Sequence, residues 1–266
     1  MSGHSKWSTI KRKKGALDTK RGQIFTKISK MIVIAAQQGG ADPDTNFSLR
    51  LAIEKAKSAN MPKDNIERAI KKGAGEVGAD DRLENIVYEG YGAGGVAILV
   101  DTTTDNKNRT VAEVRHIFEL HGGSLGTEGA VSWQFEEKGL VTIKCAKLKK
   151  SEQFGKSDKE IPCDVEDVIF EIFDVEGVED VYEVDVEEED KSFKGIEVYC
   201  SKEDLYKVQT EIKSRGYVIV SGEIIRVPTN TVVVDQEVRE KIGKLASELE
   251  DYDDVQAVWT NISEKE

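Results

Sequence analysis

The chain has 266 residues, with 50 Asp and Glu against 38 Lys and Arg, a formal charge of −12 at pH 7, and 38% apolar residues. That length allows one large domain or two to three small ones with ordinary cores, and its longest apolar run, Met31 to Ala36, is far below the roughly 20 residues of a membrane span. The N-terminus lacks the apolar stretch expected of a secretory signal, and Cys145, Cys163 and Cys200 show neither pairing number nor metal spacing, so they read as buried thiols in a reducing, cytoplasmic compartment.

The acidic total hides a reversal at the start. From His4 to Lys30 the bases Lys6, Lys11, Arg12, Lys13, Lys14, Lys20, Arg21, Lys27 and Lys30 meet one acid, Asp18; residues 1–72 hold sixteen Lys and Arg against six Asp and Glu, leaving −22 for the remainder. The asymmetry suggests a basic element aimed at a polyanion and an acidic body that repels it elsewhere. A solvated lysine-rich face is the plainer alternative. Trp7 could stack on a base or sugar, and the surrounding Gly, Ser and Thr residues let backbone approach phosphates. His4 reads as a phosphate or base contact, since no nucleophile or acid accompanies it. The candidate nucleic-acid contacts are therefore His4, Lys6, Trp7, Lys11, Arg12, Lys13, Lys14, Lys20, Arg21, Lys27 and Lys30.

Residues 1–22 lack a clean period and read as a basic arm with a short helix around Lys11 to Asp18, ordering with its ligand. From Gln23, Ile24, Ile28, Met31, Ile32 and Ala35 recur at helical spacing until Gly39 and Gly40. A second helix opens near Asn46 with Leu49, Ala52, Ile53 and Ala56 on one stripe, and a third has Pro62 in its first turn, Ile66, Ala69 and Ile70 inward, and Gly73 at its end. After a loop, Gly75 to Asp81, the period falls to two: strands around Ile86 and Tyr88 and at Val96, Ile98 and Val100 are joined by Gly90 to Gly95. A helix capped by Asp105 and Asn106 follows, with Val111, Val114, Ile117, Phe118 and His121 on one face. Strands are expected at Ala130 to Phe135 and Leu140 to Cys145, then a polar loop, Lys147 to Glu160.

Next come a helix at Asp164 to Phe173, strands Asp180 to Val186 and Gly195 to Cys200 around the acidic turn Glu187 to Asp190, a helix Lys202 to Arg215, and a strand Val218 to Val227. From Leu140 onward this is the strand–helix–strand–strand–helix–strand order of ferredoxin-like domains. A last helix, Val238 to Leu249, and strand, Val255 to Trp259, complete the earlier strands. The expected fold is α+β: a basic arm and three-helix bundle (1–79), an α+β domain (80–136 plus 230–266), and a ferredoxin-like domain inserted in it (137–229).

Catalysis is not indicated. The Gly90–Gly95 cluster has the wrong spacing for a dinucleotide loop and leads into a strand, so it reads as a hairpin turn. His116 and His121 are not the i, i+4 pair of a helical zinc site, and His121 reads as part of the helix stop. No cofactor, metal site or small-molecule substrate is implied. The cluster Asp105, Asn106, Lys107, Asn108, Arg109, Thr110 and Arg115 has two readings: helix capping with arginines pairing acids of a neighbouring domain, or a second contact surface for RNA or protein, Asp105, Asn106, Asn108, Arg109, Thr110 and Arg115 being its candidates.

The motifs GHSKW, IKRKK, DTKRG, FTK, NMPKDNIERAIKKG, YEGYGAGG, TDNKNRTVAEVRH and HGGSLG resemble the YebC family, densely over residues 3–136 and in outline to the end. That family includes bacterial proteins labelled probable transcriptional regulators and the mitochondrial translational activator of cytochrome c oxidase I. The resemblance implies an N-terminal helical bundle with two α+β domains, acting on gene expression without known catalysis, either as a ribosome-associated factor aiding synthesis through proline runs or as a DNA-binding regulator. Ala93 stands where relatives usually have proline, and the Lys147–Glu160 insert is longer than expected. Because Met1 is followed at once by the family's opening motif, no transit peptide is expected. The preferred partner is the ribosome or RNA and the alternative is duplex DNA, for which no helix-turn-helix spacing or dimer seam is evident. The chain is expected to be a monomer without membrane association.

Overall fold

The computed structural model describes residues 17–76, 82–149, 159–188 and 191–263. The basic arm before residue 17, its expected short helix up to that point, and most of the Gly75–Asp81 loop lie outside the described residues. Two compact units emerge among the described residues: one is Glu137–Ile225, and the other joins the described residues before Glu137 with those from Arg226 onward.

Three helices open the larger unit: α1 (Leu17–Gly39), α2 (Phe47–Ser58) and α3 (Lys63–Gly73). Helix α1 begins earlier than its apolar period suggests, and Ile24, expected inward, is exposed while Phe25 packs against the core instead. The bundle core is built by Ile28, Ile32 and Ala36 from α1, Leu49, Ala52 and Ala56 from α2, and Ile66 and Ala69 from α3. Asn46 welds two of these helices. Its Oδ1 accepts from the Leu49 N–H at 3.0 Å as the α2 cap, while its Nδ2 donates to the carbonyls of Ala35 at 2.7 Å and Gly40 at 2.8 Å. Helix α3 comes so close to α1 that a Cβ on Gly73 would collide with the Val33 carbonyl oxygen.

The same unit contains a sheet in the order β3-β1-β2-β9, from β1 (Glu84–Tyr91), β2 (Ala97–Thr104), β3 (Ser124–Leu125) and β9 (Val255–Thr260). Strands β1 and β2 form an antiparallel hairpin from Glu84↔Thr104 to Tyr91↔Ala97. The glycine cluster is thus its turn, with Gly94 and Gly95 at φ 69° and 73°, left-handed values that glycine adopts without steric cost. Helices α4 (Lys107–Leu120) and α7 (Gln236–Asp251) pack on this sheet through Val114, Phe118, Ile242, Leu245 and Leu249. The segment expected as a strand at Ala130 to Phe135 is instead a turn and a short 3-10 helix, Ser132–Gln134. Its backbone wraps a carboxylate rather than a neighbouring strand. The N–H groups of Gly129, Val131 and Ser132 donate to Glu89 at 2.8, 2.7 and 2.8 Å. Burial pushes that carboxyl up, and the backbone donors outweigh it and hold it below its ordinary range.

The smaller unit runs β4 (Phe135–Lys149), α5 (Val165–Phe173), β6 (Val178–Glu188), β7 (Lys191–Ser201), α6 (Leu205–Ser214) and β8 (Tyr217–Pro228). With β8 pairing β4, the sheet reads β8-β4-β7-β6, the ferredoxin-like order, with antiparallel β4–β7 and β6–β7 ladders. The polar insert is not wholly loop, because β4 extends to Lys149 and pairs with β5 (Lys159–Pro162); residues 150–158 lie outside the described residues. Cys145 and Cys200 are buried as expected, but Cys163 is only half-buried. Burial pushes the Cys200 thiol up to about 12.

The two bundle glycines predict opposite outcomes. Gly73→Ala should cost about 1–3 kcal/mol in urea unfolding, since a backbone carbonyl cannot yield to a new methyl. Gly22→Ala, on α1 with nothing within 4 Å of its Cβ, should gain about 0.5–1 kcal/mol. Equal effects at both positions would contradict the close packing of α3 on α1.

Candidate nucleic-acid interface

Of the sequence candidates, His4, Lys6, Trp7, Lys11, Arg12, Lys13 and Lys14 lie outside the described residues. Lys20 and Arg21 fall in the first turns of α1, where only the backbone is described. Lys27 and Lys30 are fully visible, and both hydrogen-bond within the chain. The Lys27 ammonium donates to the Glu250 carbonyl, and Lys30 donates to the Asp253 carbonyl at 2.9 Å and pairs with Asp254 at 2.5 Å. Gln23 joins them through the Asp251 carbonyl at 3.3 Å. Spaced i, i+4, i+7 on one face of α1, these three side chains satisfy carbonyls at the end of α7, where unpaired C=O groups and the helix dipole favour cations. Burial lowers the Lys27 pKa, opposed by the charges of Glu250, Asp251 and Asp253. Both lysines thus have partners within the chain.

Asp254 is the centre of this arrangement. It is 3% exposed, and besides Lys30 it accepts from the Thr110 hydroxyl at 2.7 Å, the Tyr252 hydroxyl at 3.0 Å, Arg109 Nη2 at 3.1 Å and the Thr104 hydroxyl at 3.2 Å. Burial pushes the carboxyl up, but the donors and the Lys30 charge outweigh it, and the net shift is well below the ordinary carboxylate range. The Asp254 bond likewise leads those from Tyr252 and Asp105 in raising the Arg109 guanidinium.

The second candidate cluster is largely absorbed here. Asn106 caps α4, accepting from the Arg109 N–H at 3.1 Å; Arg109 also pairs with Asp105 at 2.7 Å; and Thr110 is fully buried. This is capping with an arginine pairing a distant acid. Asn108 and Arg115 remain exposed on the helix surface. His121 is the C-cap residue of α4, with Nε2 2.6 Å from Glu248.

A different set of cations is left open. Arg68, Lys71 and Lys72 are exposed at i, i+3, i+4 on α3, opposite Ile66 and Ala69, and the structure gives them no ion pair among the described residues; Lys57 of α2 is likewise exposed and unpaired. In the sequence these residues enter the charge total of residues 1–72 but are not among the candidate contacts. Their helical spacing was the available signal. No helix among the described residues is long and apolar enough to cross a membrane.

Because the folded Asp254 carboxyl titrates below its unfolded value, its contribution is full above about pH 4 and fades as pH falls further. Asp254→Asn should therefore lose about 3 kcal/mol at neutral pH, the lower end for a broken buried pair because Arg109 can turn to solvent. That deficit should shrink in acid. Parallel acid-limb denaturation curves for variant and wild type would show that Asp254 is not the group responsible.

The model of the TACO1/YebC protein N-terminal domain matches residues 5–76, and that of the TACO1/YebC second and third domain matches residues 83–262. A protein from Desulforamulus reducens named "Probable transcriptional regulatory protein" is 47% identical, covering 100% of both chains. One of the same name from Syntrophus aciditrophicus is 48% identical over 98% of this chain and 95% of its own. The crystal structure of a conserved hypothetical protein from Aquifex aeolicus superposes with a TM-score of 0.79 at 41% identity, covering 98% of this chain and 97% of that one. With the expected architecture present and both models spanning nearly its whole length, this chain belongs to the TACO1/YebC family.

Proposed function

We propose that the protein is a nucleic-acid-binding regulator of gene expression, acting as a ribosome-associated translation factor that relieves stalling at proline runs. The observation that carries this reading is the charge partition: sixteen bases against six acids in residues 1–72, and −22 in the rest. Lys27 and Lys30 hydrogen-bond within the chain, yet Arg68, Lys71 and Lys72 on α3 are exposed and have no ion pair among the described residues. Lysines and arginines would neutralise phosphates and release counterions, while Trp7 and His4 would stack on or edge against unpaired bases. The action is positional: a brace near the peptide-transfer site that favours productive substrate geometry, with no bond made by the protein itself.

Duplex-DNA regulation is the second reading, favoured by the names of the relatives and by one structural detail. Helices α2 and α3 are joined by the four-residue turn 59–62, a connection length compatible with a helix-turn-helix although no such spacing is evident in the sequence. Against it, recognition helices read bases with their N-terminal residues, and the first turns of α3 carry Asp64 and Glu67, which repel a groove lined by phosphates.

Sucrose-gradient sedimentation distinguishes the two. At low salt the protein should travel with ribosomal fractions and be released steeply as salt rises; absence from those fractions at low salt would overturn the first reading, and a salt-resistant footprint on one DNA sequence would establish the second. Replacing Arg68, Lys71 and Lys72 together by alanine should reduce the slope of log affinity against log salt by about 2–3, at roughly 0.7–0.9 for each phosphate no longer neutralised. Arg12→Ala alone should reduce it by about one. An unchanged slope removes the substituted residues from the contact surface.

A further inference from the structure

The smaller unit carries an apolar surface that none of the foregoing uses. Helix α5 turns Val168 and Ile172 into the core, yet Phe170 is 82% exposed and Phe173 59%. Exposed phenylalanines three residues apart lie side by side on a helix. The same spacing surrounds them with acids: Glu166 and Asp167 precede Phe170 by four and three residues, and Asp174 follows it by four. None of these three carboxylates has an ion pair among the described residues, unlike neighbouring Glu171, held by Lys147 at 2.7 Å, and Glu176, held by Lys207 at 2.8 Å. From Asp164 to Asp180 the chain has eight acids and no base. Tyr206, at the start of α6 and 47% exposed, lines a neighbouring groove of mixed charge with Asp174, Glu176, Lys207, Glu211 and Arg215.

We propose that this face of α5 docks a basic, amphipathic segment of another protein. Aromatic side chains ringed by polar groups are the usual composition of a protein-binding patch, and charge complementarity selects the occupant. A nucleic acid is repelled by three unneutralised carboxylates. A symmetric dimer through this face would set Glu166, Asp167 and Asp174 against their own copies. A lysine- or arginine-bearing segment neutralises the rim while its apolar side chains cover Phe170 and Phe173. The assignment does not depend on the nucleic-acid reading, since it concerns different residues in a different unit.

Fluorescence anisotropy on the full-length protein tests it, using two labelled 16-residue amphipathic peptides, one with leucines along one face and lysines elsewhere, the other with glutamates replacing the lysines. The lysine peptide should bind and the glutamate peptide should not. Phe170→Ser combined with Phe173→Ser should weaken binding at least tenfold with an unchanged melting midpoint, because neither ring fills the core. Glu166→Lys with Asp167→Lys and Asp174→Lys should weaken it similarly, which keeps the test available should the aromatic variant misfold. Wild-type affinity in the aromatic variant would reduce the binding to general attraction toward an acidic protein and overturn the proposal. So would equal binding of both peptides. Sedimentation equilibrium showing self-association that the aromatic substitutions abolish would place a second copy on this face instead.

Discussion

A buried carboxylate holds the larger unit together. Asp254 is closed off from water, and removing a carboxylate from solvent without donors costs several kcal/mol even after relaxation. It is tolerated because Lys30 of α1, Thr104 at the end of β2, Arg109 and Thr110 of α4, and its neighbour Tyr252 all aim at it. The most distant of these donors, Lys30, lies 224 residues from Asp254 in the chain. The network is complete only when the helical bundle and the sheet with its helices are both in place, so the acid couples their folding.

That coupling decides which positive charges are available for anything else. The face of α1 carrying Gln23, Lys27 and Lys30 is consumed in closing the end of α7, a service that a helix terminus needs from some cation or water. The opposing acids, Glu250 to Asp254, belong to the negative body, and of them Asp254 is paired directly with Lys30 and Arg109. The outward face of α3 closes no such helix end, and its Arg68, Lys71 and Lys72 have no ion pair among the described residues. A protein can thus be acidic overall and still present a concentrated positive surface, provided its internal pairs use few of the leading bases.

The fold was legible because period and punctuation agreed. Helix spacing with Asn46 and Gly73, the glycine turn Gly90–Gly95, and the strand–helix alternation after Leu140 each pointed to the element that forms, and the family resemblance rested on the same motifs. Two kinds of feature were not legible. Ile24 and the 130–135 segment were misread because local period cannot reveal which neighbour covers a side chain: Phe25 takes the inward position, and Glu89, forty residues earlier, draws the 129–132 backbone into a cradle instead of a ladder. The Asp254 hub was invisible because Asp254 stands in a run of acids that looks like a solvated turn, and only the tertiary approach of Lys30 and α4 distinguishes it from Asp251 or Asp253. The internal bonds of Lys27 and Lys30 were hidden for the same reason, since charge counted along a chain does not say which charges face inward.

Ultraviolet crosslinking in cells, with both the modified peptide and the attached nucleic acid sequenced, tests the central claim most directly. The account predicts adducts within the basic leading segment or on the Arg68–Lys72 face of α3, carrying ribosomal RNA. Adducts confined to Glu137–Ile225, or a recurring duplex-DNA sequence in place of RNA, would contradict it.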